Sequence, residues 1–141
     1  MKVVIDTNVV LSGIFFCGYP NKALLTVFDK QCKLILSEEI ILEYKEILLR
    51  FANKKKMPID EPMEILEILI SDATIIAPQG IITPPCDDQD DIMFLEAAIA
   101  SQAKYIISGD KHLLDVSCYP GGIVLNARDY VNKILQYEEL H

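Results

Sequence analysis

The sequence predicts an α/β fold in three layers, with helices covering both faces of a mainly parallel sheet of four or five strands. Short apolar runs rich in β-branched residues alternate along the chain with longer segments of helical periodicity. Such runs are typical of strands buried on both faces, and the alternation implies right-handed crossovers between parallel strands. No segment repeats another and no linker divides the chain, so one domain is predicted over residues 1–141.

The predicted strands are five short apolar runs. They cover residues 3–5, 34–36, 74–76, 105–107 and 123–125. The first run ends abruptly at Asp6, and the fourth is followed by a short polar segment that contains Asp110. Strand length and β-branched content favour strands over helices for these runs.

Polar residues predict where the helices begin. Ser37 is suited to cap a helix that runs to about residue 51, because Glu38 and Glu39 then lie at the positive end of the helix dipole. Asp60 is predicted to cap a second helix, with Pro62 in its first turn. Two more helices are predicted, from Asp87 or Asp88 to Ser101, and from Asn126, paired with Asp129, to about Glu138.

The overall charge excludes a protein that binds nucleic acid through a general basic surface. The formal net charge is −8 and the pI is near 4.7, although clustered acids that bind cations would offset this locally. The four cysteines are scattered without a CxxC pair, so we predict no zinc site and expect reduced, mostly buried thiols. No apolar run approaches the roughly 20 residues of a membrane span, and no signal peptide is recognisable, so a cytoplasmic protein is expected.

Two acids lie just after predicted strands, where ligands collect in parallel sheets. Asp6 ends the first strand, and Thr7 and Asn8 add further oxygens beside it. Asp110 follows the fourth strand after Ser108 and a glycine. The alternative is that each aspartate only caps the helix that follows.

Two further acids fall on apolar helix faces. Glu43 shares a helical stripe with Ile40 and Tyr44, and Asp91 lies one turn before Leu95. An isolated buried charge is costly, so such a carboxylate is paired, bound to metal or protonated. The alternatives are that Glu43 reaches solvent and that the acidic run around Asp91 is a solvated helix start.

Together these acids predict a metal site. Oxygen-only ligands suit Mg²⁺ or Mn²⁺, and one or two such ions could activate water and polarise a phosphodiester. Without a cation the clustered carboxylates would raise one another's pKa values. The predicted catalytic and metal-binding residues are Asp6, Glu43, Asp91 and Asp110, with Asp88 or Asp90 as auxiliary ligands.

The order and spacing of these motifs resemble those of the PIN-domain nucleases, most closely the VapC-like toxins of toxin-antitoxin pairs. The resemblance covers the segments that begin at Asp6, Ser37, Asp91, Ser108 and Asn126. It implies a Rossmann-like sheet, Mg²⁺- or Mn²⁺-dependent cleavage of RNA, a homodimer or higher oligomer, and inhibition by an antitoxin. Asn8, Asp88 and Ser108 are predicted auxiliary residues, and Lys111 is a candidate phosphate contact. Relatives often carry an acid at the position of His112, which could instead contact substrate phosphate or simply lie on the surface.

Other functions remain open from the sequence. A haloacid-dehalogenase-like phosphatase would also place Asp6 after the first strand, but it needs an acid where Asn8 stands and leaves Glu43 unexplained. A PIN domain without catalysis, or a receiver-like module, would bind partners only. The lysines at positions 54–56 are either phosphate contacts or a solvated loop.

Overall fold

The computed structural model describes residues 1–78 and 89–140, with side chains described at 1–78 and 91–136. Over these residues the chain forms six strands and seven helices. In chain order they are β1 (Lys2–Ile5), α1 (Thr7–Phe15), α2 (Tyr19–Phe28), β2 (Lys33–Leu36), α3 (Glu38–Lys54), α4 (Asp60–Ser71), β3 (Thr74–Ile75), α5 (Gln89–Ser101), β4 (Tyr105–Ile107), α6 (Lys111–Val116), β5 (Cys118–Tyr119), β6 (Gly122–Leu125) and α7 (Ala127–Leu140).

The strands form one sheet in the order β3-β2-β1-β4-β6-β5. Every neighbouring pair is parallel except β5 with β6, so the predicted α/β fold with a mainly parallel sheet is confirmed. Over the described residues the sheet has six strands, where four or five were predicted. The additional strand β5 is only two residues long and pairs with β6 across a tight turn at Gly121, whose φ of +99° suits glycine.

The core is built on the two central strands. Val3, Val4 and Ile5 of β1 are fully buried, as is most of β4 beside it. Helix α5 packs on β1, β2 and β4, and α7 packs on β4 and against α2. Apolar strands buried on both faces are what the β-branched runs predicted, and they leave polar groups only at the strand ends.

The helix caps were predicted correctly in two of three described cases. The Ser37 hydroxyl accepts a hydrogen bond from the Ile40 amide at 3.3 Å, and the Asn126 side chain accepts one from the Asp129 amide at 2.8 Å. The prediction for Asp60 was wrong, because Ile59 is the cap and Asp60 lies in the first turn, where its charge still favours the dipole. The predicted starts at Asp87 or Asp88 lie outside the described residues.

Helices α1, α2 and α6 were not individually predicted. Helix α1 carries apolar residues around most of its surface, so it lacks a one-sided pattern. It packs closely on α2 at Gly13, where an added Cβ would lie 2.6 Å from Leu24 Cδ1. No single described helix meets the length and hydropathy of a membrane span, although α1 and α2, bent by 94° relative to each other, do so as a pair.

The cysteine prediction was wrong in part. All three described cysteines are free thiols, but only Cys32 is buried, whereas Cys17 and Cys118 are exposed. Cys17 lies in the connection between α1 and α2, and Cys118 lies on the edge strand β5, so neither position requires burial.

Candidate active site

The four predicted acids line one shallow cavity at the carboxyl-terminal edge of the sheet. Its volume is about 200 Å³. Because β1 and β4 are neighbouring parallel strands with Ile5 opposite Ile107, the residues that follow them emerge at the same edge. Helices α3 and α5 supply the other two acids. The lining residues are Asp6, Thr7, Asn8, Glu43, Ile47, Asp91, Phe94 and Asp110.

Asp6 lies at the inner end of this cavity and is 5% exposed. Its Oδ1 accepts a hydrogen bond from the Val9 amide at 3.0 Å, and its Oδ2 accepts one from the Ser108 hydroxyl. Its backbone amide donates to the Ile107 carbonyl at 3.0 Å, which fixes it against β4. Asp6 therefore caps α1 and lines the cavity as well, so the two readings of this residue are compatible.

Burial raises the pKa of the Asp6 carboxyl above its usual value. The hydrogen bonds from Ser108 and Val9 oppose this shift, while the negative charges of Asp110 and Glu43 add to it. The net direction remains upward. Burial and the neighbouring acids therefore disfavour the ionised form of Asp6, and a bound cation would oppose this effect.

Ser108 connects Asp6 to Asp110. Its fully buried hydroxyl donates to Asp6 and accepts from the Asp110 amide at 2.9 Å. The Asp110 carboxylate is half-buried and accepts from the His112 amide at 2.7 Å, so it caps α6 in the same way that Asp6 caps α1. The auxiliary residue predicted at 108 thus holds the ends of two strands in a fixed relation.

Glu43 and Asp91 approach the cavity from helices. Glu43 is half-buried on α3 and accepts a hydrogen bond from the Thr7 hydroxyl. Asp91 is 5% exposed in the first turns of α5, directly before the buried pair Phe94 and Leu95. Both positions agree with the apolar stripes read from the sequence, and Glu43 is held by a neighbouring side chain.

Tyr44 is a site residue that the sequence pattern placed only in the core. Its ring is fully buried, and its hydroxyl donates to the carbonyl of Ile5, the residue directly before Asp6. Burial raises the pKa of Tyr44 well above its usual value, and the charges of Asp6 and Glu43 raise it further. The hydroxyl therefore stays protonated and ties α3 to the end of β1. Its position directly after Glu43, an acid on the apolar face of the helix, is the sequence signal that could have indicated this role.

The chemistry of the four acids suits a hard cation, but their side chains are not close enough together to bind one. Four carboxylates are the oxygen ligands that Mg²⁺ and Mn²⁺ prefer. In the described parts of the chain, however, no three acidic, histidine or cysteine side chains stand close enough to hold one metal ion. The carboxylates of Asp6, Glu43 and Asp110 accept hydrogen bonds from hydroxyl or amide donors, and each retains further lone pairs for a cation.

The other predicted residues differ in position. Asn8 is exposed and lines the cavity. Lys111 and His112 are exposed in the first turn of α6 and follow Asp110, but they do not line the cavity. Lysines 54–56 lie at the far end of α3, and Asp88 lies outside the described residues, as does the side chain of Asp90.

Comparison with known proteins gives a family and two structural relatives. The PIN-domain family model matches residues 2–112. VapBC2 from Rickettsia felis, solved bound to a DNA fragment from its promoter, is 17% identical with a TM-score of 0.58, over 89% of this chain and 98% of the other. PAE2754 from Pyrobaculum aerophilum is 13% identical with a TM-score of 0.63, over 96% and 99%. At these identities the two structures show a shared fold, and no curated protein matches the sequence.

Replacing the Tyr44 hydroxyl tests its link to β1. Tyr44→Phe leaves the buried Ile5 carbonyl without its donor, so we expect a loss of about 1–3 kcal/mol in the free energy of unfolding, measured with urea. Tyr19→Phe is the control, because its ring is exposed and a change below about 0.5 kcal/mol is expected there. Equal stability of Tyr44→Phe and the wild type would contradict the link.

The raised pKa of Asp6 predicts a pH-dependent effect of Asp6→Asn on metal-free protein. Above the raised pKa the folded state carries a disfavoured charge, so in that pH range the neutral amide, which can still cap α1, should stabilise the fold. As pH falls through the raised pKa, the wild-type carboxyl binds its proton and the difference should shrink. Thermal melts in EDTA measure it, with the exposed Asp115→Asn as control. A difference that does not vary with pH would refute this.

Proposed function

The chain belongs to the PIN-domain family, whose members are generally nucleases, and we propose that it hydrolyses RNA phosphodiester bonds with Mg²⁺ or Mn²⁺ as the toxin of a toxin-antitoxin pair. One observation carries the proposal. Four carboxylates from four separate segments, Asp6, Glu43, Asp91 and Asp110, line a single cavity at the edge of the sheet where ligands collect. We further propose one nuclease domain over residues 1–141, acting in the cytoplasm.

Burial divides the acids into two pairs with different proposed roles. Asp6 and Asp91 are almost fully buried and would hold one or two cations from beneath, while Glu43 and Asp110 are half-buried and would complete the ligand set at the mouth. When bound, Mg²⁺ or Mn²⁺ supplies a Lewis acid that polarises the phosphodiester and lowers the pKa of a water molecule. The charge of a bound ion would also offset the repulsion between the carboxylates and a phosphate.

The side chains around the acids hold the carboxylates in position. Ser108 and Thr7 hold Asp6 and Glu43 by hydrogen bonds, and Tyr44 holds the strand end from which Asp6 emerges. Phe94 and Ile47 form an apolar part of the cavity wall, which limits water beside the carboxylates and strengthens their attraction for a cation. These residues position ligands, and none of them needs to exchange a proton with substrate.

The proposed choice of RNA rests on the resemblance to VapC-like toxins. The exposed side chains of Lys111 and His112 lie directly after Asp110, so they are the proposed contacts for substrate phosphates. Their number is small, which agrees with a net charge of −8 and with binding that depends on the metal ions.

An antitoxin partner is also proposed. The relative from Rickettsia felis was solved as the VapBC2 assembly on promoter DNA, and this supports a protein partner for the present chain. Self-association into a homodimer or higher oligomer belongs to the same proposal and rests on the family resemblance.

A PIN domain that binds partners without catalysis is the second candidate. It is favoured by the observation that no three described metal-binding side chains stand close enough to hold one ion. A haloacid-dehalogenase-like phosphatase has less support, because Asn8 occupies the exposed position on α1 where that chemistry needs a second acid.

A nuclease assay separates these candidates. Purified protein should cleave single-stranded or structured RNA with Mn²⁺ or Mg²⁺. EDTA or Asp6→Asn should lower the rate by at least about 100-fold, because EDTA removes the metal ion and the substitution removes one of its proposed ligands. Asp115→Asn, an exposed acid on α6 outside the cavity, should retain activity.

Three outcomes would oppose the proposal. Cleavage that survives in Asp6→Asn would indicate another site or a contaminating nuclease. No cleavage by protein that binds Mn²⁺ would favour the binding module. Hydrolysis of p-nitrophenyl phosphate without RNA cleavage would favour the phosphatase.

A further inference from the structure

A second cavity lies at the opposite edge of the sheet, where the parallel strands begin. Its volume is about 610 Å³, within the range of about 300–1,000 Å³ that is typical of small-molecule sites. We refer to it as the lysine cavity, because Lys2, Lys104 and Lys133 line it together with Gln102, Tyr105 and Ile134. None of the described residues that line it is acidic. It shares no lining residue with the carboxylate cavity.

The strand register brings these lysines together. Lys2 opens β1 and Lys104 directly precedes β4, and the Lys104 amide donates to the Lys2 carbonyl at 2.9 Å. Val3 pairs with Tyr105 in the adjoining register, so the two lysines remain neighbours as long as the sheet is formed. Lys133 is added from α7, which packs on β4. The concentration of positive charge is therefore built into the fold.

Two of these lysines contact neutral groups in the described part of the protein. The Lys2 ammonium donates to the Ser101 carbonyl at 3.1 Å, and the Lys104 ammonium lies 5.5 Å from the centre of the Tyr105 ring. Within the described side chains, no carboxylate lies within 4.0 Å of the ammonium groups of Lys2, Lys104 or Lys133. In a chain with 21 acidic and 13 basic residues, three basic side chains around one cavity without an acid constitute a local positive potential.

We propose that the lysine cavity binds a nucleoside phosphate. The ammonium groups supply donors and charge for the phosphates. Ile134 and Tyr105 supply apolar surface for the organic part, and the Gln102 side chain can exchange hydrogen bonds with a base or sugar. A small ligand fits better than a polymer, because the three lysines line one concave space of about 610 Å³.

Isothermal titration of the intact protein tests this proposal, which does not rest on the proposed nuclease function. ADP, GDP, CDP and UDP are titrated separately in EDTA, so that the carboxylate cavity cannot bind a metal-nucleotide complex. At least one nucleoside diphosphate should bind saturably and more tightly than pyrophosphate. Lys104→Gln and Lys133→Gln should each weaken it, and together by at least about tenfold.

Two controls locate the site. Lys55→Gln removes an exposed charge at the end of α3, outside the cavity, and Asp6→Asn alters the carboxylate cavity; both should bind like the wild type. Thermal melts confirm that each variant is folded. The proposal is overturned if no nucleoside diphosphate binds at millimolar concentration, if pyrophosphate binds as tightly as the best of them, if the lysine variants bind normally, or if Asp6→Asn loses binding.

Discussion

The burial of the Asp6 carboxylate is the constraint on which the rest of the site depends. A charged group at the end of a buried strand is costly unless donors surround it, and among the described residues the Asp6 carboxylate accepts hydrogen bonds from the Val9 amide and the Ser108 hydroxyl. Two neighbouring acids add to the cost, and they raise its pKa together with burial. A bound cation would lower this cost, which supports the proposed metal site.

Much of the fold could be predicted because burial on both faces of a sheet leaves a direct trace in sequence. The runs from Val3 to Ile5 and from Tyr105 to Ile107 are apolar throughout, which is typical of strands buried on both faces. In the structure they are the two central strands of the sheet. Other features depend on tertiary context. Strand β5 exists because two residues can pair across a turn with β6, and α1 is apolar on most sides because α2 and α3 also cover it.

The acids themselves could be found by position, but their relations could not. Strand ends and helical stripes pointed to all four acids. The sequence analysis treated helix capping and metal binding as alternatives for Asp6 and Asp110, whereas in the structure both residues cap helices and also line the cavity. The bonds from Thr7 to Glu43 and from Tyr44 to the Ile5 carbonyl join residues 36 and 39 positions apart, so only the packed structure reveals them.

The two ends of the sheet carry opposite chemistry, with acids where the strands end and lysines where they begin. The proposed nuclease activity depends on a cation at the acidic end of the sheet. The most direct measurement is a crystal structure of the wild-type protein with Mn²⁺, with the ion located by its anomalous scattering. Mn²⁺ is expected in the carboxylate cavity, with Asp6 and Asp91 as ligands and Glu43 or Asp110 completing the set. An empty cavity at saturating Mn²⁺, or an ion bound only elsewhere, would contradict it.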